Sequence, residues 1–182
     1  METYIALLRG INVSGQKKIK MADLKALFTQ LGFLDIQTYI QSGNIVFKTE
    51  TLSTEKLEKR IKEEISATFG FDVPVLVHSA KKLKDIRKKN TLYQKNEDPK
   101  GLYYVLLKQP ASPELVANLK QETYPNEVYV ITDECVYLNC LKGYGNAKCN
   151  NNFFERKLKV VATTRNHKTI AKLLALSEYN SN

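Results

Sequence analysis

Three stretches of the chain place glycine, asparagine, threonine and basic residues close together, the types from which anion sites are built. The first, Gly10-Ile11-Asn12-Val13-Ser14-Gly15-Gln16-Lys17, approaches the phosphate-loop spacing GxxxxGK[ST]. Its lysine comes one residue late, no Ser or Thr follows to hold magnesium, and the next helix starts only near Met21, so a phosphate loop is excluded. What remains is a glycine-bearing loop with Lys17, Lys18 and Lys20, in which an anion could meet backbone N–H groups. The second stretch, Gly143-Tyr144-Gly145-Asn146-Ala147-Lys148, follows an expected strand and opens an expected helix near 147–158, where unpaired N–H groups and the helix dipole favour negative charge. It has no third glycine and no parallel βαβ unit, which excludes a dinucleotide fingerprint. The third, Thr163-Thr164-Arg165-Asn166, sits at another expected helix start with Asn166 as N-cap; its two hydroxyls and guanidinium suit a phosphate or carboxylate. Each stretch also has a plain structural explanation: a loop, a capped helix with an exposed lysine, and an arginine paired with a nearby acid.

Other chemistries find little footing. There is no GxSxG, no cysteine and histidine in a recognisable catalytic context and no motif of closely spaced carboxylates. Neither Cys149 nor the two histidines, His78 and His167, complete a CxxC or HxxxH spacing, so no metal site is expected and no cofactor is indicated. Cys135 and Cys140 lie five apart on one expected strand and face opposite sides, and the count of three leaves one unpaired, so buried free thiols are expected. An enzyme is still conceivable, since Lys, Tyr and Arg can act as acid, base or electrostatic stabiliser.

Composition sets the frame for these clusters. Hydrophobic residues at 43% and charged residues at 26% are globular usage, so the chain is expected to fold unaided. Its apolar runs are strand-length, far short of the ~20 residues that span a bilayer. Met1-Glu2-Thr3 leads directly into such a run, and a cytoplasmic protein without membrane partners is the expectation. The net charge of +9 favours polyanions, and Lys81 to Lys89 packs six basic residues around Asp85 alone, a run that serves as a solvated helix face more often than as a binding surface.

The positioning elements repeat. Residues 3–9 form a near-continuous apolar strand, Leu24, Leu27, Phe28 and Leu31 make a helical stripe ended by Gly32, and strands 36–41 and 44–49 flank a Ser42-Gly43 turn. A helix over 54–69 carries Leu57, Ile61, Ile65 and Phe69 on one stripe, with Glu55 and Lys59, Glu58 and Lys62 spaced i, i+4 on its polar side. Strand 73–78 contains Pro74, which suits only an edge, and a short basic helix over 79–89 follows. After a polar segment the order returns: strand 102–108, a helix from Ser112, strands 127–132 and 135–140, a helix near 147–158, strand 160–163 and a helix from Asn166. The expected class is therefore α+β: two tandem ferredoxin-like units, each βαββαβα with a four-stranded, mainly antiparallel sheet. The halves are expected at 1–90 and 102–182, with 91–101 as linker. Ferredoxin-like sheets can bind single-stranded RNA through aromatics on their central strands, for which Tyr4 and Phe47, or Tyr103, Tyr104 and Tyr137, are the candidates.

Arg9-Gly10-Ile11-Asn12-Val13, Lys20-Met21, Thr38-Tyr39-Ile40-Gln41-Ser42-Gly43-Asn44 and Thr163-Thr164-Arg165-Asn166 together resemble one bacterial family, the domain of unknown function 1697. The resemblance implies two intertwined ferredoxin-like units and no established activity. Where the family usually has an aromatic residue this chain has His167, and Ala147-Lys148-Cys149 replaces its usual Ser-Lys-Leu. In a ferredoxin-like unit the first two strands run parallel, so the loop after Arg9 and the 41–44 turn should emerge at one end. The 143–148 loop should likewise adjoin Thr163 to Asn166. We expect a phosphate-bearing ligand, a nucleotide or nucleic acid, to bind between the halves through Arg9, Asn12, Lys20, Tyr39, Gln41, Ser42, Asn44, Lys148, Thr163, Thr164, Arg165 and Asn166. The alternatives are an enzyme acting on a small anionic substrate, with Lys148 or Tyr39 as proton carrier and Arg165 as anion clamp, and a protein-interaction module whose motifs are structural.

Overall fold

The computed structural model describes residues 1–95 and 99–179, apart from the side chains of Lys95 and Tyr179. Backbone proximity divides the chain into two compact units, residues 1–84 with the segment from 172 onward, and residues 85–171.

In the first unit, strands β1 (Glu2–Leu8), β2 (Leu34–Tyr39), β3 (Asn44–Thr49) and β4 (Val75–Ser79) form a sheet ordered β2-β3-β1-β4, with every neighbouring pair antiparallel. The solid apolar runs lie on central β1 and β3, as expected for strands buried on both faces. One face, with Tyr4, Ala6 and Leu8 of β1 and Ile45 and Phe47 of β3, packs on helices α1 (Met21–Gln30) and α2 (Thr54–Phe69). Ile5, Leu7 and Val46, on the opposite face, are equally buried. Phe47 anchors the helix side, its ring centre 4.6 Å from Phe33 and 5.3 Å from Phe28.

Pro74 falls just ahead of edge strand β4, and its carbonyl accepts from the Arg9 N–H (3.0 Å). Within β4 the Val77 N–H meets the carboxylate of Glu58 on α2 (3.0 Å), which blunts the exposed edge. Glu58 is thus buried against the strand rather than set on the solvated face, and Lys62 pairs with Asp72 instead (2.8 Å). Tertiary contact overrides the i, i+4 spacing here. Helix α3 (Ala80–Lys88) carries the basic run, of which Lys84 reaches Glu178 (2.9 Å).

The second unit repeats the sheet as β6-β7-β5-β8, with β5 (Leu102–Leu107), β6 (Glu127–Ile131), β7 (Cys135–Cys140) and β8 (Ala162–Asn166). The expected linker holds a short helix, α4 (Thr91–Lys95), because the Asn90 side chain caps the N–H groups of Leu92 and Tyr93, and a 3-10 turn (Pro99–Gly101). Ser112 caps α5 (Pro113–Lys120), with Pro113 in its first turn. Two boundaries move. The helix expected from 147 begins at Asn151 (α6, Asn151–Leu158), since Asn150 accepts from the Phe153 N–H, and Tyr144–Asn146 forms a separate 3-10 turn. Strand β8 runs past the expected end at 163 to Asn166, which caps α7 (His167–Tyr179) as expected. All three cysteines are free and buried. Among the described residues no helix is long and apolar enough to cross a membrane.

His78 on β4 lies opposite Ile5, with its Nε2 buried and without a hydrogen-bond partner. Burial first, and then the charge of Lys82, push its pKa down to about 4. Below its ordinary value the unfolded chain takes up a proton that the folded chain refuses. The stabilisation is therefore complete above that ordinary value and is lost as the pH falls towards 4. Between pH 7 and 4.5 this group should cost about 2.5 kcal/mol of stability. Urea unfolding at both pH values should show His78→Gln escaping that much of the wild-type loss; equal losses in the two proteins would place the acid sensitivity elsewhere.

Candidate anion-binding site

The antiparallel pairing of β3 with both β1 and β2 makes β1 and β2 parallel in direction, so the 9–19 loop and the 40–43 turn leave the first sheet at one end. They are tied there. The Leu8 N–H donates to the Gly43 carbonyl (2.8 Å). Asn12 donates its two amide hydrogens to the carbonyls of Ile19 and Gln41 (2.8 Å each), while its Oδ1 accepts from the Ile19 N–H (2.9 Å). Asn12 holds φ +56°, a left-handed conformation that Asn tolerates better than most residues. Ile40 is left-handed too (φ +49°), which is costly for a β-branched residue, and it remains half exposed.

Behind this knot lies a pocket of about 390 Å3 lined by Asn12, Lys18, Ile19, Lys20, Asp23, Gln41 and Phe69. Lys20 is the N-cap of α1 and provides no side-chain cap, so the first-turn N–H groups stay available at the positive end of the helix dipole. Lys18 and Lys20 are exposed and make no ion pair among the described residues, whereas Lys17 turns away to the Asp72 carbonyl. Asp23 brings one carboxylate to the first turn, and Phe69, at the end of α2, supplies half-buried aromatic surface.

Of the expected residues, the structure brings Asn12, Lys20 and Gln41 to this pocket. Arg9, Tyr39, Ser42 and Asn44 lie in the same end cluster without lining it. Asn44 is buried and fixes the turn, its Nδ2 donating to the Tyr39 carbonyl (3.0 Å) and Ser42 Oγ (2.9 Å). Ile19, Asp23 and Phe69 escaped the sequence. Phe69 reads as the last member of a core stripe, and Asp23 as an ordinary first-turn acid.

In the second unit the expected residues are knitted into the scaffold. Arg165 is buried, and its Nη1 donates to Thr163 Oγ1 and the Thr164 carbonyl (2.9 Å each). Burial pushes its pKa down to about 10, partly offset by Tyr144, and it stays charged at neutral pH. Thr164 Oγ1 donates to Asn151 Oδ1 (2.8 Å), the Asn151 N–H donates to the Tyr144 hydroxyl (2.9 Å), and Tyr144 stacks on Tyr103 at 4.6 Å. Lys148 keeps an exposed side chain while its N–H donates to the buried Glu127 carboxylate (3.2 Å), away from the start of α6.

Of the aromatics considered for RNA, only Tyr103 is part-exposed, and its ring is stacked on Tyr144. Tyr4 packs in the helix-facing core, and its hydroxyl donates to the Leu52 carbonyl (2.9 Å). Tyr104 meets His167 and Tyr137 donates to the Ile86 carbonyl, both rings fully buried, so no base can stack on either.

The end cluster depends on Gly43, which is left-handed (φ +74°); a Cβ there would stand 2.6 Å from Leu8 Cβ and 2.9 Å from Ile11 Cδ1. Gly43→Ala should therefore destabilise the protein by about 3 kcal/mol in urea unfolding, backbone strain and overpacking combined. A loss below about 1 kcal/mol would mean that the turn relaxes freely.

The model of the family described as "Protein of unknown function (DUF1697)" matches residues 1–137, a span that includes the whole pocket and stops short of Thr163 to Asn166. No curated protein matches the chain. Among solved structures, the conserved bacterial protein SP0830 from Streptococcus pneumoniae aligns at a TM-score of 0.73 with 21% identity, covering 97% of this chain and 98% of its own, a likeness of fold. The shared motifs at Arg9 to Val13, Lys20-Met21 and Thr38 to Asn44, all inside the matched span, agree with that match: the chain belongs to the DUF1697 family.

Proposed function

We propose that the first unit binds a small phosphate-bearing ligand, a nucleotide foremost, in the pocket at the start of α1. The observation that carries this is the pairing of two lysines that lack an acidic partner among the described residues with a helix N-terminus that lacks a side-chain cap. Both favour negative charge, and together they give a phosphate direct N–H donors as well as counter-charge. The same pocket offers a flat apolar surface on Phe69 and an acceptor on Asp23, which suit a base and a hydroxyl or amine. Its volume falls in the range of small-molecule pockets, which favours a discrete ligand over a long strand tracked along a groove. Asn12 works through position, since its two amide hydrogens are already engaged.

Titration calorimetry with nucleoside mono- and diphosphates and inorganic phosphate tests this directly. Lys18→Ala and Lys20→Ala should each weaken binding by about 1 kcal/mol, and Phe69→Ala should weaken nucleotides but not phosphate. Absence of saturable heat with any of these ligands at millimolar concentration would remove the proposal, whereas tight binding left unchanged in both lysine variants would move the site elsewhere.

A further inference from the structure

A strand at the border of a sheet turns every second N–H and C=O group outward, and these pair with another strand unless something covers them. The border strands here are β2, β4, β6 and β8, and three of them are covered. On β4 the Val77 N–H meets the Glu58 carboxylate (3.0 Å). On β8 the Ala162 N–H donates to Glu155 Oε1 (2.8 Å), its carbonyl accepts from Asn151 Nδ2 (3.2 Å), and the Thr164 carbonyl accepts from Arg165 Nη1 (2.9 Å). On β2 a bulge between Leu34 and Gln37, with Asp35 left-handed (φ +50°), interrupts the ladder.

The fourth border has no such device among the described residues. The Thr132 N–H donates to the Cys135 carbonyl (3.0 Å) and the Leu141 N–H to the Asn126 carbonyl (2.9 Å), so the even-numbered residues of β6 bond to β7. The main-chain groups of Tyr129 and Ile131 therefore point away from the sheet, where nothing among the described residues receives them. Glu127, at the start of the strand, is bridged to Tyr124. The side chains of Tyr129 and Ile131 join the core, while Val128 and Val130 emerge on the other face, Val128 48% exposed. Shortness does not protect this edge, since β4 and β8 are also of five residues and are covered nonetheless.

We propose that β6 is a docking edge for a second copy of this chain, the two β6 strands pairing antiparallel about a two-fold axis at Tyr129. The strand is complementary to itself in that register. Val128 lies opposite Val130 of the copy, apolar against apolar, and Tyr129 exchanges both main-chain hydrogen bonds with its counterpart. Charge selects the direction. Glu127 is the one charged residue of β6; antiparallel pairing sets it opposite Ile131 of the copy, whereas parallel pairing would align two carboxylates. An edge of five residues is small beside the roughly 1,200–2,000 Å2 of a standard interface, so the association is weak and reversible. The edge lies in the second unit and shares no residue with the pocket at α1.

Sedimentation velocity and amide hydrogen exchange on the full-length protein test this. The sedimentation coefficient should rise from that of a monomer towards that of a dimer between ~5 and ~500 µM protein. Over the same range exchange at the Tyr129 and Ile131 amides should slow by about threefold or more, because only the copy can receive them. Val128→Lys places a cation at an exposed position against Val130 of the copy and should raise the dimer dissociation constant about tenfold or more. Exchange in the wild-type protein needs no variant, so it decides the matter even where Val128→Lys fails to fold. A monomer throughout the range would overturn the proposal. So would a dimer that leaves the Tyr129 and Ile131 amides exchanging as in the monomer, or one that Val128→Lys does not weaken. Slow exchange of both amides at every concentration, without a dimer, would mean that the chain itself covers this edge, and would overturn it too.

Discussion

The carboxamide of Asn12 is the interaction on which the candidate pocket depends. Its three hydrogen bonds close the 12–19 loop on Ile19 and fasten that loop to the 40–43 turn through the Gln41 carbonyl. Ile19 leads directly into Lys20 and α1, so one side chain sets where the helix N-terminus points relative to the turn. The left-handed backbone at Asn12 and Ile40 is the strain that this knot contains. Such strain persists only where surrounding contacts over-determine the conformation, here through Gly43 packed against Leu8 and Ile11.

The same sheet topology leads to a different outcome in the second unit. Threonine, asparagine and arginine at the end of β8 resemble an anion cradle in sequence, but the residue types that hold an anion are also those that satisfy orphaned backbone groups. Asn150 and Asn166 cap helices, Asn151 ties α6 to β8, and Arg165 is held by the hydroxyl and carbonyl of its own strand. Geometry separates the two uses. A cradle leaves N–H groups and cations available, whereas a cap engages them; Lys18 and Lys20 are exposed and make no ion pair among the described residues.

The central strands are buried on both sheet faces. Ile5, Leu7, Tyr104 and Tyr137 are as buried as the residues under the helices, so the rings of Tyr104 and Tyr137 offer no stacking surface to RNA. The basic run on α3 is also partly engaged. Lys84 and, just past its end, Lys89 pair with Glu178 and Glu134, contacts of small energetic weight that nonetheless take charge off the surface. The loops at the sheet end remain, where backbone donors are free of ladder pairing.

The amino-acid sequence determined the repeated element order, the central and edge strands and the shared end of the 9–19 loop and the 40–43 turn. Each follows from local patterns: solid apolar runs need cover on both faces, Pro74 needs an edge, and antiparallel pairing fixes which loops are neighbours. That Asn12, Lys20 and Gln41 would lie together was legible because their motifs flank those loops. Tertiary structure alone decided that Phe69, packed at the end of its core stripe, also lines the pocket, that Glu58 leaves its helical lysine for the Val77 N–H, and that Arg165 is buried against its own threonines. These outcomes depend on which buried donors lack a partner once distant segments have packed, and periodicity along a chain carries no record of that.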